Sequence, residues 1–253
     1  MAKTQSDRPA GRVVAVMPAR NSARTLEATI REIPPGSVDH IVLVDNASRD
    51  DTVAIAERLG LDVVKHPVDR GFGGSIKSCF RAAVAAGADY IVELHPDNQY
   101  PAEFIPALHA KAREGDYAIV IGSRFLPPRT ALAGGMPWWK FVSNRALTLM
   151  NNLMLGVYLA EYHSGLRIYD ARWVRTLPLD KMSDDFKFGF ELIGQAVEDG
   201  QRIGEVPAFC RYFDEASQNR FKGSVVYGLG TLEESFRVLR YRLGLGGARQ
   251  GSA

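Results

Sequence analysis

Only two cysteines, Cys79 and Cys210, occur in 253 residues, which excludes a disulfide scaffold and fits free thiols in a reducing compartment. Charge of one sign is equally scarce. Thirty-one basic against 29 acidic residues leave a net charge of +2, so no global field draws the chain onto nucleic acid or an anionic bilayer. No stretch reaches the roughly eighteen uninterrupted apolar residues of a membrane span, and residues 1–11 lack the apolar centre of a secretion signal. A cytoplasmic protein is expected, one that would meet a membrane only peripherally, on its inner face. Neither a Walker sequence nor a GxGxxG after the first strand is present, which argues against P-loop and dinucleotide folds. Internal repeats are missing too.

What is present is the 46% hydrophobic, 24% charged composition of an ordinary globular domain. Residues 13–17 form a β-branched run closed by Pro18, and residues 23–33 carry Leu26, Ile30 and Ile33 at helical spacing before Pro34-Pro35. Strand 41–44 ends at Asp45, helix 51–59 stops at Gly60, and a third strand covers 62–65. Arg70-Gly71-Phe72-Gly73-Gly74 opens a helix through Ala86. A fourth strand, 90–94, runs into His95-Pro96-Asp97-Asn98-Gln99-Tyr100, a helix starts at Pro101, and a fifth strand covers 117–121. Short apolar strands separated by helices predict an α/β fold, an open, mainly parallel twisted sheet with helices on both faces.

Beyond Gly122 the rhythm breaks into a loop at 126–137, which disfavours an eight-unit barrel. A long apolar helix at 138–159 follows, then a strand at 166–169, a helix at 186–198 and a strand at 202–206. Leu229, Leu232, Phe236, Leu239 and Leu243 recur every three or four residues, with Arg237, Arg240 and Arg242 beside them, an amphipathic helix. The expected organisation is a tail at 1–11, one domain at 12–223, and a C-terminal amphipathic helix with a disordered end at 224–253.

Ligands of open parallel sheets gather at the carboxyl ends of the strands, which directs attention to Pro18-Ala19-Arg20-Asn21, Asp45-Asn46-Ala47-Ser48, Asp97-Asn98-Gln99 and Gly122-Ser123-Arg124. Asp45 can accept from a ribose hydroxyl or a base N–H, whereas Asp50 reads as a helix cap. RGFGGS either cradles phosphate at a helix start or makes a tight turn. Asp97 and Gln99, at alternating positions past a strand, offer oxygen donors to a hard divalent cation, although Asp-Asn is also turn chemistry. Lys77 and Cys79 read as packing or solvent residues.

The ordered set MPARN, VLVDNASRDDT, RGFGGSIKSCFRAA, HPDNQYPAE, GSRF, NRALTLMNNLMLG, HSGLRIYDA and IGEVPAFCRY resembles the inverting glycosyltransferases of family 2 with the GT-A fold. Within these, it is most similar to the dolichyl- and polyprenyl-phosphate mannosyltransferase branch. The resemblance spans residues 12–230. It implies that Pro18, Ala19 and Asn21 line a nucleotide pocket, that Asp45 with Ser48 holds the nucleoside, and that Gly73 lies near the donor. Asp97 and Gln99 would hold Mg²⁺ or Mn²⁺ on the donor diphosphate, and Arg124 and Arg211 would contact phosphate. His95 stands where relatives carry the first aspartate of a DxD-type motif and either ligates the metal or faces away. Arg20 replaces a common tyrosine, and RYFDEASQ matches the late phosphate-binding loop loosely.

Relatives acting on hydroxyls place a Glu-Asp base pair where this chain has Phe188-Gly189, with Glu191 a turn later. A hydroxyl needs a base and a phosphate monoester is already anionic, so a polyprenyl-phosphate acceptor is favoured, attacking in a single inverting displacement. Asn144, Arg145 and Arg167 are candidates to hold it, the arginines having structural ion pairs as their alternative. Trp138-Trp139-Lys140-Phe141, residues 147–159 and the C-terminal stripe offer a lipid landing surface, a core face or a homodimer contact. Two further readings stay open. One is a family 2 transferase on a saccharide hydroxyl, using Glu191, Asp184 or Asp185 as base; the other is a non-catalytic nucleotide-sugar-binding subunit.

Overall fold

A computed structural model describes residues 11–126, 130–211 and 221–246. Its strands are β1 (Val13–Ala19), β2 (His40–Asn46), β3 (Asp62–His66), β4 (Tyr90–Glu93), β5 (Tyr117–Ser123), β6 (Arg167–Asp170) and β7 (Arg202–Pro207). Its helices are α1 (Leu26–Arg31), α2 (Thr52–Arg58), α3 (Gly71–Ala85), α4 (Ile105–Glu114), α5 (Thr130–Ala133), α6 (Trp138–Leu155), α7 (Ala171–Val174), α8 (Phe188–Glu198) and α9 (Phe221–Arg242).

The seven strands form one sheet in the order β3-β2-β1-β4-β6-β5-β7. All pairings are parallel except those of β6, which runs antiparallel to β4 and β5. Both faces are covered. In β1, Val14 and Val16 enter one core with Ile76, Phe80 and Phe188, while Val13, Ala15 and Met17 enter the other with Leu26, Ile105 and Leu108. An unbroken apolar run is what burial on both faces requires of a strand. The outer strand β3 is the exception: its charged Asp62 and Lys65 are exposed, as suits a sheet edge.

Several boundaries differ from the sequence reading for local reasons. The long apolar helix ends at Leu155 because Gly156 adopts a left-handed φ of 67°. Asn152 then braces the following segment, accepting from Leu159 N–H at 3.0 Å and donating to its carbonyl at 2.9 Å. The expected loop at 126–137 contains the short helix α5. The C-terminal helix begins at Phe221 and packs on α6 and α8, with Val238 fully buried, so it is part of the core rather than an appendage. Expectations for 1–10, 127–129, 212–220, 247–253 and the Leu229 side chain lie outside the described residues.

Candidate active site

The chain lays down β1, β2 and β3 outward and then returns to place β4 on the other side of β1. Strand order therefore reverses between β1 and β4, and a crevice opens outside their carboxyl ends. Its wall includes Pro18, Ala19 and Arg20 from β1, His95, Asp97 and Gln99 after β4, Arg124 after β5, and Asn144 of α6. Because β6 is antiparallel, its first residue rather than its last stands at this rim, and Arg167 pairs in register with Glu93.

Three loops around the crevice hold non-glycine residues at positive φ: Asn21 at 52°, Ala47 at 58° and Asn98 at 58°. Such backbone persists only where surrounding bonds over-determine it, and it clusters at binding sites. Here the bonds are visible. Asn21 N–H donates to Ser48 Oγ at 2.9 Å, and Asn21 Oδ1 accepts from Arg49 N–H at 2.8 Å. Asp50 accepts from Ala23 N–H at 3.0 Å and from Thr52 N–H at 3.1 Å, just before α2. Asn21 and Ser48 thus rivet the β1 and β2 loops together and do not stand in the crevice wall.

Asp45 is buried at the end of β2. Its Oδ2 accepts Ser48 N–H at 3.2 Å, but Oδ1 has no hydrogen-bond partner. A buried acceptor left in this way is a cost that a ligand N–H or hydroxyl would remove.

Behind Asp97 lies a buried polar cluster. Glu93 accepts from His95 Nε2 at 2.9 Å and from Tyr169 hydroxyl at 2.7 Å. Burial alone would discharge both members of the pair. The Glu93 contact, helped by Asp97, nevertheless raises the His95 imidazole above its usual range, and His95, Arg167 and Tyr169 hold Glu93 below its own. His95 therefore presents Nε2 to Glu93 rather than to a metal, and the residue lines the crevice. Its ring stacks on Phe72 at 5.6 Å, and Phe72 stacks on the half-exposed Phe186 at 4.9 Å, an aromatic row leading out along the crevice.

Asp97 and Gln99 both line the crevice, and Asp97 Oδ1 accepts Gln99 N–H at 3.0 Å. Among the described residues no group of three His, Cys, Asp or Glu is placed to hold a metal. Mg²⁺ does not require such a group, since one or two protein oxygens can be completed by water and substrate phosphates.

The remaining candidates are placed as follows. Gly73 and Gly74 give their N–H groups to Asp184 carbonyl, Gly73 at 2.8 Å, so the glycine-rich turn receives another chain segment and not phosphate. Lys77 is buried, donating to Met182 carbonyl and, at 2.8 Å, to Asp184. Arg211 is engaged by Glu32 at 2.7 Å and Asn98 at 2.9 Å, and its N–H donates to Gln99 carbonyl at 2.8 Å. Arg124 makes a bidentate ion pair with the buried Glu161, although its side chain lines the crevice. Arg145 is exposed, donating to Ala160 carbonyl and covering Phe125, and does not line the crevice. Arg167 does, oriented by the carbonyls of Tyr162, Ser164 and Gly189. Glu191 is buried and accepts Ser183 N–H at 2.8 Å, which removes it from the reacting centre.

The sequence reading missed Glu93, Tyr169, Glu161, His163, Phe72 and Phe186. A carboxylate inside an apolar strand was the available signal for Glu93.

Residues 14–177 match the family model described as Glycosyl transferase family 2. The chain is similar to undecaprenyl-phosphate mannosyltransferase of Micrococcus luteus, with 30% identity over 92% of this chain and 100% of that protein. It is 26% identical to polyprenol monophosphomannose synthase of Mycolicibacterium smegmatis, over 79% of this chain and 77% of that one. Glucosyl-3-phosphoglycerate synthase from Mycobacterium tuberculosis, solved with Mn²⁺, uridine diphosphate and glucosyl-3-phosphoglycerate, superposes with a TM-score of 0.66 at 19% identity. The match covers 94% of this chain and 81% of that one, and it establishes a shared GT-A-type fold.

Proposed function

Because the chain belongs to glycosyl transferase family 2 and is an enzyme of that transferase class, we propose that it moves a hexose from a nucleotide-diphosphate sugar to a polyprenyl phosphate with inversion. The observation that carries this reading is the state of the carboxylates. Asp184 is bound by Lys77, Asp185 by Lys187 N–H and Glu191 by Ser183 N–H, and none of the three lines the crevice. The acids that do are Asp69, ion-paired with Arg20, Glu93, held by His95 and Tyr169, and Asp97. Among the described residues, the only crevice carboxylate outside an ion pair is then Asp97, the metal candidate, and a phosphate acceptor needs no base.

The crevice suits an anion. Arg167 is oriented by three carbonyl oxygens, and Lys140 stands at the α6 side of the same wall. These cations would hold the acceptor phosphate for in-line attack on the anomeric carbon, a reaction governed by positioning and charge stabilisation. Asp45 Oδ1 would take the donor nucleoside. Asp97 and Gln99 would hold Mg²⁺ or Mn²⁺, which, when bound, neutralises charge on the departing diphosphate. The named relatives act on undecaprenyl phosphate and polyprenol phosphate, in agreement with this acceptor.

Labelled nucleotide sugars offered with polyprenyl phosphate, polyprenol or free saccharide test the assignment. The expected product is a lipid-linked sugar labile to mild acid, formed only from the phosphate. Asp97→Ala is expected to lower turnover by about 100-fold or more with its melting temperature unchanged. Transfer to a hydroxyl that Glu191→Gln abolishes would establish the saccharide-hydroxyl reading instead.

A further inference from the structure

Between α6 and β6 the chain runs through residues 157–166 with no helix or strand ladder to hold it. This irregular segment nevertheless delivers His163 and Ser164 to the crevice wall and Glu161 to Arg124. Peptide groups that leave water without a ladder must find partners elsewhere, and here side chains supply them. Asn152 serves both peptide groups of Leu159, and Arg145 donates to Ala160 carbonyl at 2.8 Å. Glu205 takes two groups with one carboxylate. Its Oε2 accepts Ala160 N–H at 2.7 Å, and its Oε1 accepts Glu161 N–H at 2.9 Å.

The next link is Glu161, whose side chain is inaccessible to solvent. Its Oε2 accepts Arg124 Nε at 2.8 Å and Arg124 N–H at 3.0 Å, and its Oε1 accepts Nη2. Such a fork fixes the plane of a guanidinium as well as its place. Glu205 lies on β7, opposite Ile121 of β5 in the parallel register, and Arg124 directly follows β5. Both ends of the Arg124–Glu161 bond are therefore referenced to the same two paired strands. Arg124 lines the crevice, whereas Glu161 and Glu205 do not. Across the sheet order, Asp45 ends the β2 side, Asp97 follows β4, Arg167 opens β6 and Arg124 follows β5. Arg124 thus stands beyond Arg167, on the side of Asp97 away from the nucleoside candidate, which is the side left for an acceptor.

We propose that Glu205 is a positioning residue for the acceptor phosphate: by clamping the peptide N–H groups of Ala160 and Glu161 it holds Glu161, and through Glu161 the Arg124 guanidinium, at the crevice wall without itself touching substrate. The role rests on the phosphate-acceptor reading, and its test is separable from that reading.

Glu205→Gln keeps the size of the side chain but turns an N–H toward one of the two peptide N–H groups. The test is calorimetric binding of geranyl phosphate, a water-soluble probe, to the full chain as wild type, Glu205→Gln, Arg124→Lys and the double variant, which together form a double-mutant cycle. Glu205→Gln is expected to weaken binding by about tenfold, and Arg124→Lys, which loses the fork, by a similar factor. The double variant is expected to bind no more weakly than Arg124→Lys alone, because Glu205 acts only through Arg124. Binding of uridine or guanosine diphosphate with Mg²⁺ is expected to stay unchanged in all four, a split that general loosening of the fold would not produce. Should Glu205→Gln not fold, Glu205→Asp, which keeps both oxygens one methylene short, gives the same cycle. Wild-type affinity in the Glu205 variant overturns the inference, as do losses that multiply in the double variant or equal weakening of probe and nucleotide. A wild type that ignores geranyl phosphate but transfers sugar to a hydroxyl rejects the acceptor reading. The same cycle read in kcat then decides the positioning role, with multiplying losses against it and non-multiplying losses for it. A wild type that neither binds the probe nor transfers sugar to any acceptor overturns both.

Discussion

His163 shows how one residue's surroundings set a measurable pH response. Its half-buried imidazole lines the crevice beside Glu161, Arg124 and Arg167. Burial, aided by the two guanidiniums and opposed by Glu161, lowers it to about 4. An unfolded histidine takes its proton near pH 6.5, so between those values the unfolded chain binds more protons than the native one. Stability is therefore full above about pH 6.5 and falls as pH drops toward 4. Between pH 7.5 and pH 5 this residue should remove about 2 kcal/mol. Urea unfolding of the wild type and His163→Gln at both pH values checks this. The wild type should lose that much more than the variant, and equal losses would mean the native imidazole is already protonated. Residues of this kind were the least legible in the sequence. Asp97 and Arg124 could be singled out because they follow strand ends, but the burial of His163 and the bond from Tyr169 hydroxyl to Glu93 depend on β6 lying antiparallel beside β4, which no local pattern announces.

At the scale of elements, the strands were legible because burial on both faces leaves continuous apolar runs, whereas helix ends shifted by a few residues, at Leu155 because of Gly156. The glycine-rich start of α3 was ambiguous for a physical reason: close approach of phosphate and close approach of backbone both require the absence of Cβ. The structure assigns the approach to residues 183–184. A Cβ on Gly73 would press into Ser183 carbonyl and lie 2.8 Å from Phe188 Cβ. In an open helix Gly→Ala is stabilising, but here Gly73→Ala should destabilise by about 1–3 kcal/mol, read as a lower melting temperature. Unchanged stability with weakened donor binding would return the glycine to a phosphate role.

At the scale of the molecule, the open question in the sequence was where α9 belongs, since an apolar stripe with arginines beside it reads the same whether it meets core, partner or membrane. Thr231, Ser235 and Val238 are fully buried, while Phe236 and Leu243 are exposed, so the helix is docked on a side that the leucine spacing alone did not specify. Arg237 marks that docking. It bonds Glu198 of α8 at 2.5 Å and Glu234 of its own helix at 2.7 Å, and both carboxylates are nearly inaccessible. A solvated arginine on a surface helix is worth less than about 1 kcal/mol. Removing the shared cation between two buried acids should cost about 3 kcal/mol, because the charges left behind repel one another and are desolvated. Arg237→Ala should therefore unfold at lower denaturant. Adding Glu198→Gln, which removes one orphaned charge, should recover part of the loss, a coupling that a double-mutant cycle measures directly. Additive effects of the two substitutions would place α9 on the surface as a detachable element, whereas recovery ties the last helix to α8 and, through it, to the core behind the active crevice.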